Sequence, residues 1–157
     1  MSADEFIVTP WHVEGDIDYD KLIEKFGTQK ISPKLREKIK SMTDEDHFML
    51  RRGIFFSHRE MDRILEDYEK GNEFFLYTGR GPSGHTHIGH LVPWVFAKWL
   101  QDKFDVNLYF QLTDDEKFYS KTNLTLEETT KFAYENALDF IALGFNPEKT
   151  KIIINTK

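Results

Sequence analysis

The sequence predicts an α/β fold: a parallel sheet with crossover helices, preceded by a mostly helical N-terminal segment. Three observations predict it. From residue 74 onward, strand-length apolar runs alternate with helix-period stretches in the order strand, helix, strand, helix, strand. That order makes parallel crossovers, which amount to half of a doubly wound, Rossmann-like sheet. The run Val106–Leu112 is apolar on both faces except at Asn107 and Gln111, as suits a strand buried in a parallel sheet. Upstream of residue 73 the signals are mainly helix caps followed by apolar residues at helical spacing.

In chain order, Phe6-Ile7-Val8 and Pro10-Trp11-His12-Val13, split at Thr9-Pro10, predict a small hairpin or arm. Asp18 precedes a helix carrying Leu22, Ile23 and Phe26, which Gly27 stops. Ser32-Pro33 opens a second helix with Leu35 and Ile39 on one face. His47–Phe56 mixes aromatics with Arg51-Arg52. Ser57 and Glu60 form a capping-box pattern ahead of Met61, Ile64, Leu65 and Tyr68, and Gly71 closes that helix. Phe74–Thr78 is the first strand of the sheet. The first crossover helix is expected from about Gly89 or His90 to Phe104, with Pro93 tolerated in the first turn. After the strand Val106–Leu112, Thr113-Asp114-Asp115-Glu116 caps a short helix near Phe118 and Tyr119. Thr125 and Glu128 cap a long helix carrying Phe132, Ala133, Leu138 and Ile141, ended by Gly144, and Lys151–Ile154 is the third strand. The expected organisation is an arm and helical segment over 1–72 and the sheet over 73–157.

Composition narrows the function. The chain has 157 residues, 39% of them hydrophobic and 15% aromatic, with 14 Phe, so it has enough apolar surface for a folded interior. It has no cysteine, which excludes disulfides and thiolate zinc sites and is compatible with the cytosol. The segment MSADEFIVTP lacks a basic stretch followed by an apolar run, so no signal peptide is expected. No run reaches the roughly 18 apolar residues of a membrane span. A net charge of −6 argues against strong electrostatic binding of nucleic acid by this chain alone, though local donors can still hold a small anion.

Ligands of doubly wound sheets sit outside the carboxyl ends of the strands. Two polar clusters fall there. One is Tyr77-Thr78-Gly79-Arg80-Gly81-Pro82-Ser83-Gly84-His85-Thr86-His87-Ile88-Gly89-His90, and the other is Gln111-Leu112-Thr113-Asp114-Asp115-Glu116-Lys117. In the first, glycines let the backbone approach a ligand closely. Arginine and histidine supply phosphate donors, and the helix that follows adds its positive dipole end. In the second, Asp114 and Asp115 read as a solvated helix start, whereas Gln111 interrupts an apolar strand and needs a partner if buried.

Three chemistries compete for the loop. Gly79–Gly84 matches the dinucleotide fingerprint G-x-G-x-x-G. However, Pro82 removes a backbone N–H, the helix opens too late, and no acid ends the second strand. This disfavours a nicotinamide oxidoreductase. His85, His87 and His90 offer imidazoles for zinc, but the loop contains no acid to orient them. Nucleotide activation fits better: His87 and His90 can stack near a base or donate to phosphate oxygens, while Arg80 and Lys117 offset charge on a transferring group.

These two clusters, with Pro10-Trp11, Asp18–Ile23 and Leu50–Arg59, resemble the tryptophanyl-tRNA synthetases of the eukaryotic and archaeal type, which are class I aminoacyl-tRNA synthetases. The resemblance covers nearly the whole chain. It implies that His87-Ile88-Gly89-His90 is the ATP signature and that Arg80 and Lys117 contact ATP or substrate. It further implies that Tyr77 and Gln111 recognise the indole N–H, that Glu116 lies near the substrate ammonium, and that Gly79 borders the pocket. ATP, Mg2+, tryptophan and tRNA(Trp) are the implied ligands, with a homodimer in the full-length, cytoplasmic enzyme. The family continues into the second half of the sheet, a KMSKS-type loop and an anticodon-binding domain. The chain therefore resembles an N-terminal portion, and an uncovered sheet edge and exposed apolar surface are expected. A non-catalytic nucleotide-binding or interaction module is the alternative reading.

Overall fold

A computed structural model describes residues 18–157 and the backbone of residues 7–8 and 13–14. The chain forms two compact units, Met1–Glu66 and Asp67–Lys157.

In the first unit, β1 (Ile7–Val8) pairs antiparallel with β2 (Val13–Glu14), the expected hairpin. Phe6 and Pro10–His12, also part of that expectation, lie outside the described residues. Helix α1 (Tyr19–Phe26) starts where the Asp18 carboxylate accepts from the N–H groups of Asp20 and Lys21 at 3.0 and 3.2 Å. It stops at Gly27, whose φ of 60° suits a residue without Cβ. Ser32 caps α2 (Pro33–Thr43) by accepting from Leu35 N–H at 3.1 Å, and α3 (Phe48–Arg51) is a single turn. The Arg36 guanidinium forks onto Asp46 at 2.9 and 2.6 Å and holds that carboxyl below its usual range.

The capping box expected at Ser57 does not form. Ser57 belongs to β4 (Ser57–His58), which pairs antiparallel with β3 (Gln29–Lys30). His58 Nδ1 instead accepts from Met61 N–H at 3.2 Å to start α4 (Met61–Glu69). The strand pairing runs through His58 and the helix begins only at Met61, so Ser57 lies too early in the chain to cap it, and a tertiary pairing overrides the local signal.

The second unit holds the parallel sheet in the order β5 (Leu76–Arg80), β6 (Leu108–Leu112), β7 (Thr150–Ile154). Helix α5 (Ile88–Phe104) connects the first two strands, and α6 (Asp114–Ser120) and α7 (Leu126–Ile141) connect the second pair. Thr125 and Glu128 form the expected capping box on α7. Strand β5 begins two residues later than Phe74 because the Phe74 ring packs edge-on against Tyr68 and Phe104, at 5.6 and 5.3 Å. Helix α5 begins at Ile88, ahead of the expected start, so Pro93 falls past the first turn and withholds a hydrogen bond inside the helix.

Only one face of the sheet is covered among the described residues. Leu108, Phe110 and Leu112 meet Trp94 from α5 and Ala133, Ala137 and Phe140 from α7, all buried. The opposite face carries Tyr77, Tyr109, Gln111 and Ile153, and Tyr77 is 63% exposed. The expectation that β6 is covered on both faces therefore fails in this chain. Leu138 and Ile141 likewise lie off the buried stripe of α7, 66% and 55% exposed, because Ala133, Ala137 and Phe140 define the face that meets the sheet.

Candidate active site

The carboxyl ends of the three strands bring both polar clusters onto one rim. Thr113 N–H donates to Arg80 O and Asn155 N–H to Leu112 O, each at 3.1 Å, so ladder bonding extends one step into the loops. The loop after β5 is fastened to α7. The buried Asn136 amide donates to Gly84 O at 3.1 Å, Thr86 hydroxyl donates to the Asp139 carboxylate, and His85 Nδ1 lies 3.3 Å from Glu135. Arg80 donates to the carbonyls of Gly84 and His85 at 3.2 and 2.9 Å. Both bonds come from Nη2; Nη1 is buried, and no hydrogen-bond partner for it is found among the described residues. Burial lowers the Arg80 pKa, the nearby Asp139 carboxylate opposing it. A guanidinium holding one unmet donor in a loop is suited to an anion.

His87 and His90 cap α5 reciprocally. His87 Nδ1 accepts from Gly89 N–H at 3.2 Å, and His90 Nδ1 accepts from His87 N–H at 3.1 Å. Each accepting Nδ1 carries no proton, so each neutral ring carries its proton on Nε2, which stays available as a donor. Burial, then the positive charge of Arg80, pushes the His90 pKa below its ordinary value. His90 is therefore neutral at pH 7, and its cap breaks only if acid protonates Nδ1. The two rings lie 3.8 Å apart, and His90 stacks at 6.2 Å on Trp94, which anchors it to the core. His85 turns instead toward α7, edge-on to Phe132 at 5.5 Å. The three histidines do not converge, and no grouping of three metal-ligating side chains occurs among the described residues.

Glycines here make room for the protein's own groups. A Cβ on Gly79 would overlap the Gln111 carbonyl oxygen, one on Gly81 would overlap the Lys117 methylenes, and one on Gly89 would crowd the His87 ring at 3.0 Å. Lys117 thus lies across Gly81, with Nζ 3.3 Å from Glu116 Oε1. Glu116 Oε2 accepts from Thr113 hydroxyl at 2.9 Å. On the open face, Tyr77 hydroxyl donates to Gln111 Oε1, and Gln111 Nε2 donates to Asn155 Oδ1 at 2.7 Å. All the sequence-predicted residues, Tyr77, Gly79, Arg80, His87, Gly89, His90, Gln111, Glu116 and Lys117, thus lie on the rim or on the open face beside it.

The sequence reading missed four residues. Asn136 breaks the apolar stripe of α7, which was a usable signal. Asn155 directly follows β7, where ligand-facing residues of such sheets collect. Asp115 Oδ1 accepts from Asn155 Nδ2 and from Glu116 N–H, both at 2.8 Å, so it is no mere solvated helix start. Asp114 overturns that reading completely. It is fully buried and takes bonds from Thr130 and Thr156 hydroxyls at 2.9 and 2.6 Å.

A profile of the family described as tRNA synthetases class I (W and Y) matches residues 69–157. The tryptophan–tRNA ligase of Sulfurisphaera tokodaii is 60% identical over 99% of this chain and 41% of its own length. Among solved structures, tryptophanyl-tRNA synthetase from Trypanosoma brucei is 49% identical at a TM-score of 0.84, covering 89% of this chain and 43% of that one. The tryptophanyl-tRNA synthetase from Encephalitozoon cuniculi bound to tryptophan is 40% identical at a TM-score of 0.84, covering 88% and 41%. The chain spans about 40% of the length of the curated relatives it matches. With the profile covering more than half of it, and the strand-end loops and capped helix in place, this chain belongs to the class I tRNA synthetases (W and Y).

Proposed function

We propose that this chain supplies the amino-acid-activating rim of a tryptophan–tRNA ligase. The observation that carries the reading is the meeting of Tyr77 and Gln111 on the open sheet face, beside a loop that leads into a histidine-capped helix. Tyr77 and Gln111 accept the indole N–H, and the Glu116 carboxylate faces the substrate ammonium. The tryptophan carboxylate attacks the α-phosphorus of ATP, and pyrophosphate leaves. The Nε2 donors of His87 and His90, with Arg80 and Lys117, hold the phosphate oxygens as charge shifts to the leaving group. Mg2+, when bound, travels with the triphosphate and neutralises part of its charge. The chain's own contribution is donors, and the unmet donor of Arg80 fits that role. In this reading residues 73–157 form the first half of the catalytic domain and residues 1–72 an arm and helical segment. The full enzyme then passes the aminoacyl group to tRNA(Trp), as a cytoplasmic homodimer.

Calorimetric titration with ATP and Mg2+, and tryptophan-dependent pyrophosphate exchange by the full-length gene product, test this directly. His90→Ala is expected to lower kcat/KM for ATP about 100-fold, while tryptophan affinity stays within about twofold. Gln111→Ala is expected to do the reverse, weakening tryptophan at least about tenfold. Equal effects of both changes on both ligands would refute the division of the rim, and saturable NAD binding in place of ATP would refute the reading.

Gly81→Ala separates position from stability. Lys117 is flexible and can swing aside, so the melting temperature is expected to move by less than about 4 °C. Because a misplaced charge stabilises the transition state poorly, exchange is expected to fall about tenfold. An unaltered exchange rate would show that the placement of Lys117 over Gly81 is immaterial.

A further inference from the structure

Four side chains on the rim form one directed chain of hydrogen bonds. Asp115 Oδ1 accepts from Asn155 Nδ2 at 2.8 Å, Asn155 Oδ1 accepts from Gln111 Nε2 at 2.7 Å, and Gln111 Oε1 accepts from Tyr77 hydroxyl. An isolated amide can turn over and exchange its donor for its acceptor at little cost. These two cannot turn over independently, because their ends face each other. A carboxylate accepts and does not donate, so the Asp115 end sets the direction of the whole chain. Turning Asn155 over would bring Oδ1 against the carboxylate. Turning Gln111 alone would bring its oxygen against Asn155 Oδ1.

The backbone that delivers Asn155 is fixed as well. Its N–H donates to Leu112 O at 3.1 Å, and the next residue, Thr156, donates through its hydroxyl to the buried Asp114 at 2.6 Å. Asp115 is held by the first turn of α6, where it also accepts Glu116 N–H at 2.8 Å. Asp115 and Asn155 are therefore both anchored to backbone before any ligand arrives.

We propose that Asp115 and Asn155 are positioning residues that lock the Gln111 amide with its oxygen toward Tyr77, and so set the site to select a ligand that donates a ring N–H. This rests on the reading of Tyr77 and Gln111 as the ring-binding pair. With the relay intact, the lone pairs left over at Gln111 Oε1 and the Tyr77 oxygen are acceptors. A ring N–H satisfies them. A ring of the same shape without the N–H leaves them unmet, and such sites discriminate strongly. Without the relay, Gln111 can present its NH2, and the penalty against the second ring falls.

The test compares tryptophan with its benzothiophene analogue, in which sulfur replaces the ring N–H, by amino-acid-dependent pyrophosphate exchange on the full-length gene product. Asn155→Leu is expected to lower the ratio of kcat/KM for the two substrates by at least about tenfold, mainly through a raised KM for tryptophan. In the double variant Asn155→Asp with Asp115→Asn the carboxylate faces Gln111 Nε2 directly, still only accepts, and conserves charge, so the ratio is expected to stay within about threefold of wild type. A merely structural role would weaken both substrates alike. An unchanged ratio in Asn155→Leu, or a double variant as unselective as Asn155→Leu, would overturn the proposal. A wild-type protein that does not distinguish the two substrates would overturn the reading of Tyr77 and Gln111 itself, and the proposal with it.

Discussion

Phe140→Ala is expected to destabilise the C-terminal unit by about 3–5 kcal/mol, the usual cost of truncating a buried phenylalanine. Phe140 is fully buried and stacks on Phe110 at 3.8 Å and on Phe145 at 4.0 Å, with Trp94 edge-on at 5.6 Å. Alanine would leave a cavity lined by three rigid rings that cannot collapse into it, so both the transfer and the cavity contributions apply. Against a typical domain stability of about 5–15 kcal/mol, the loss is large. It also reaches the site, since Trp94 carries the stacked His90 ring. Urea unfolding monitored by tryptophan fluorescence measures the effect. A loss below about 1 kcal/mol would show that the aromatic stack is not the core of this unit.

Asp114→Ala is expected to cost about 3 kcal/mol, because it leaves the Thr130 and Thr156 hydroxyls and the Thr156 N–H without their acceptor. Burial opposes ionisation of Asp114, but the donors of Thr156 and Thr130, with backbone N–H groups, outweigh it and hold the carboxyl below its ordinary pKa. A depressed folded-state pKa contributes stability that is fully present above the unfolded value of about 3.9. That stability is lost as pH falls through the lower folded value. Wild type is therefore expected to lose its margin over Asp114→Ala as pH drops below about 4. Urea midpoints of both proteins at neutral and acid pH would measure this, and a margin independent of pH would contradict the assignment. Since Thr156 follows Asn155, the variant also frees the segment that orients Gln111.

Local chemistry made much of the fold legible. Asp18, Ser32 and Thr125 cap helices where the sequence places them, because a side chain accepting an N–H two or three residues on needs no help from the rest of the chain. Ser57 has the same local signal and fails, because the strand paired with Gln29–Lys30 runs through His58 and the helix starts only at Met61. The loop after β5 was readable for a related reason. Its glycines and histidines lie within a few residues of one another and cap their own helix.

The sequence by itself determined the strand and helix order, the parallel crossovers, and which two loops meet at the carboxyl ends of the strands. These follow from periodicity and caps, which are local. Tertiary structure alone decided which polar residues are structural. Asp114 and Asp115 are adjacent acids at one helix start, yet the first is sealed by groups 16 and 42 residues away, and the second meets an amide 40 residues on. No neighbour in sequence reports those contacts. Burial and amide direction are set when β7 and α7 close against β6, which brings the Asp115 carboxylate onto the Asn155 amide and Asn155 onto Gln111.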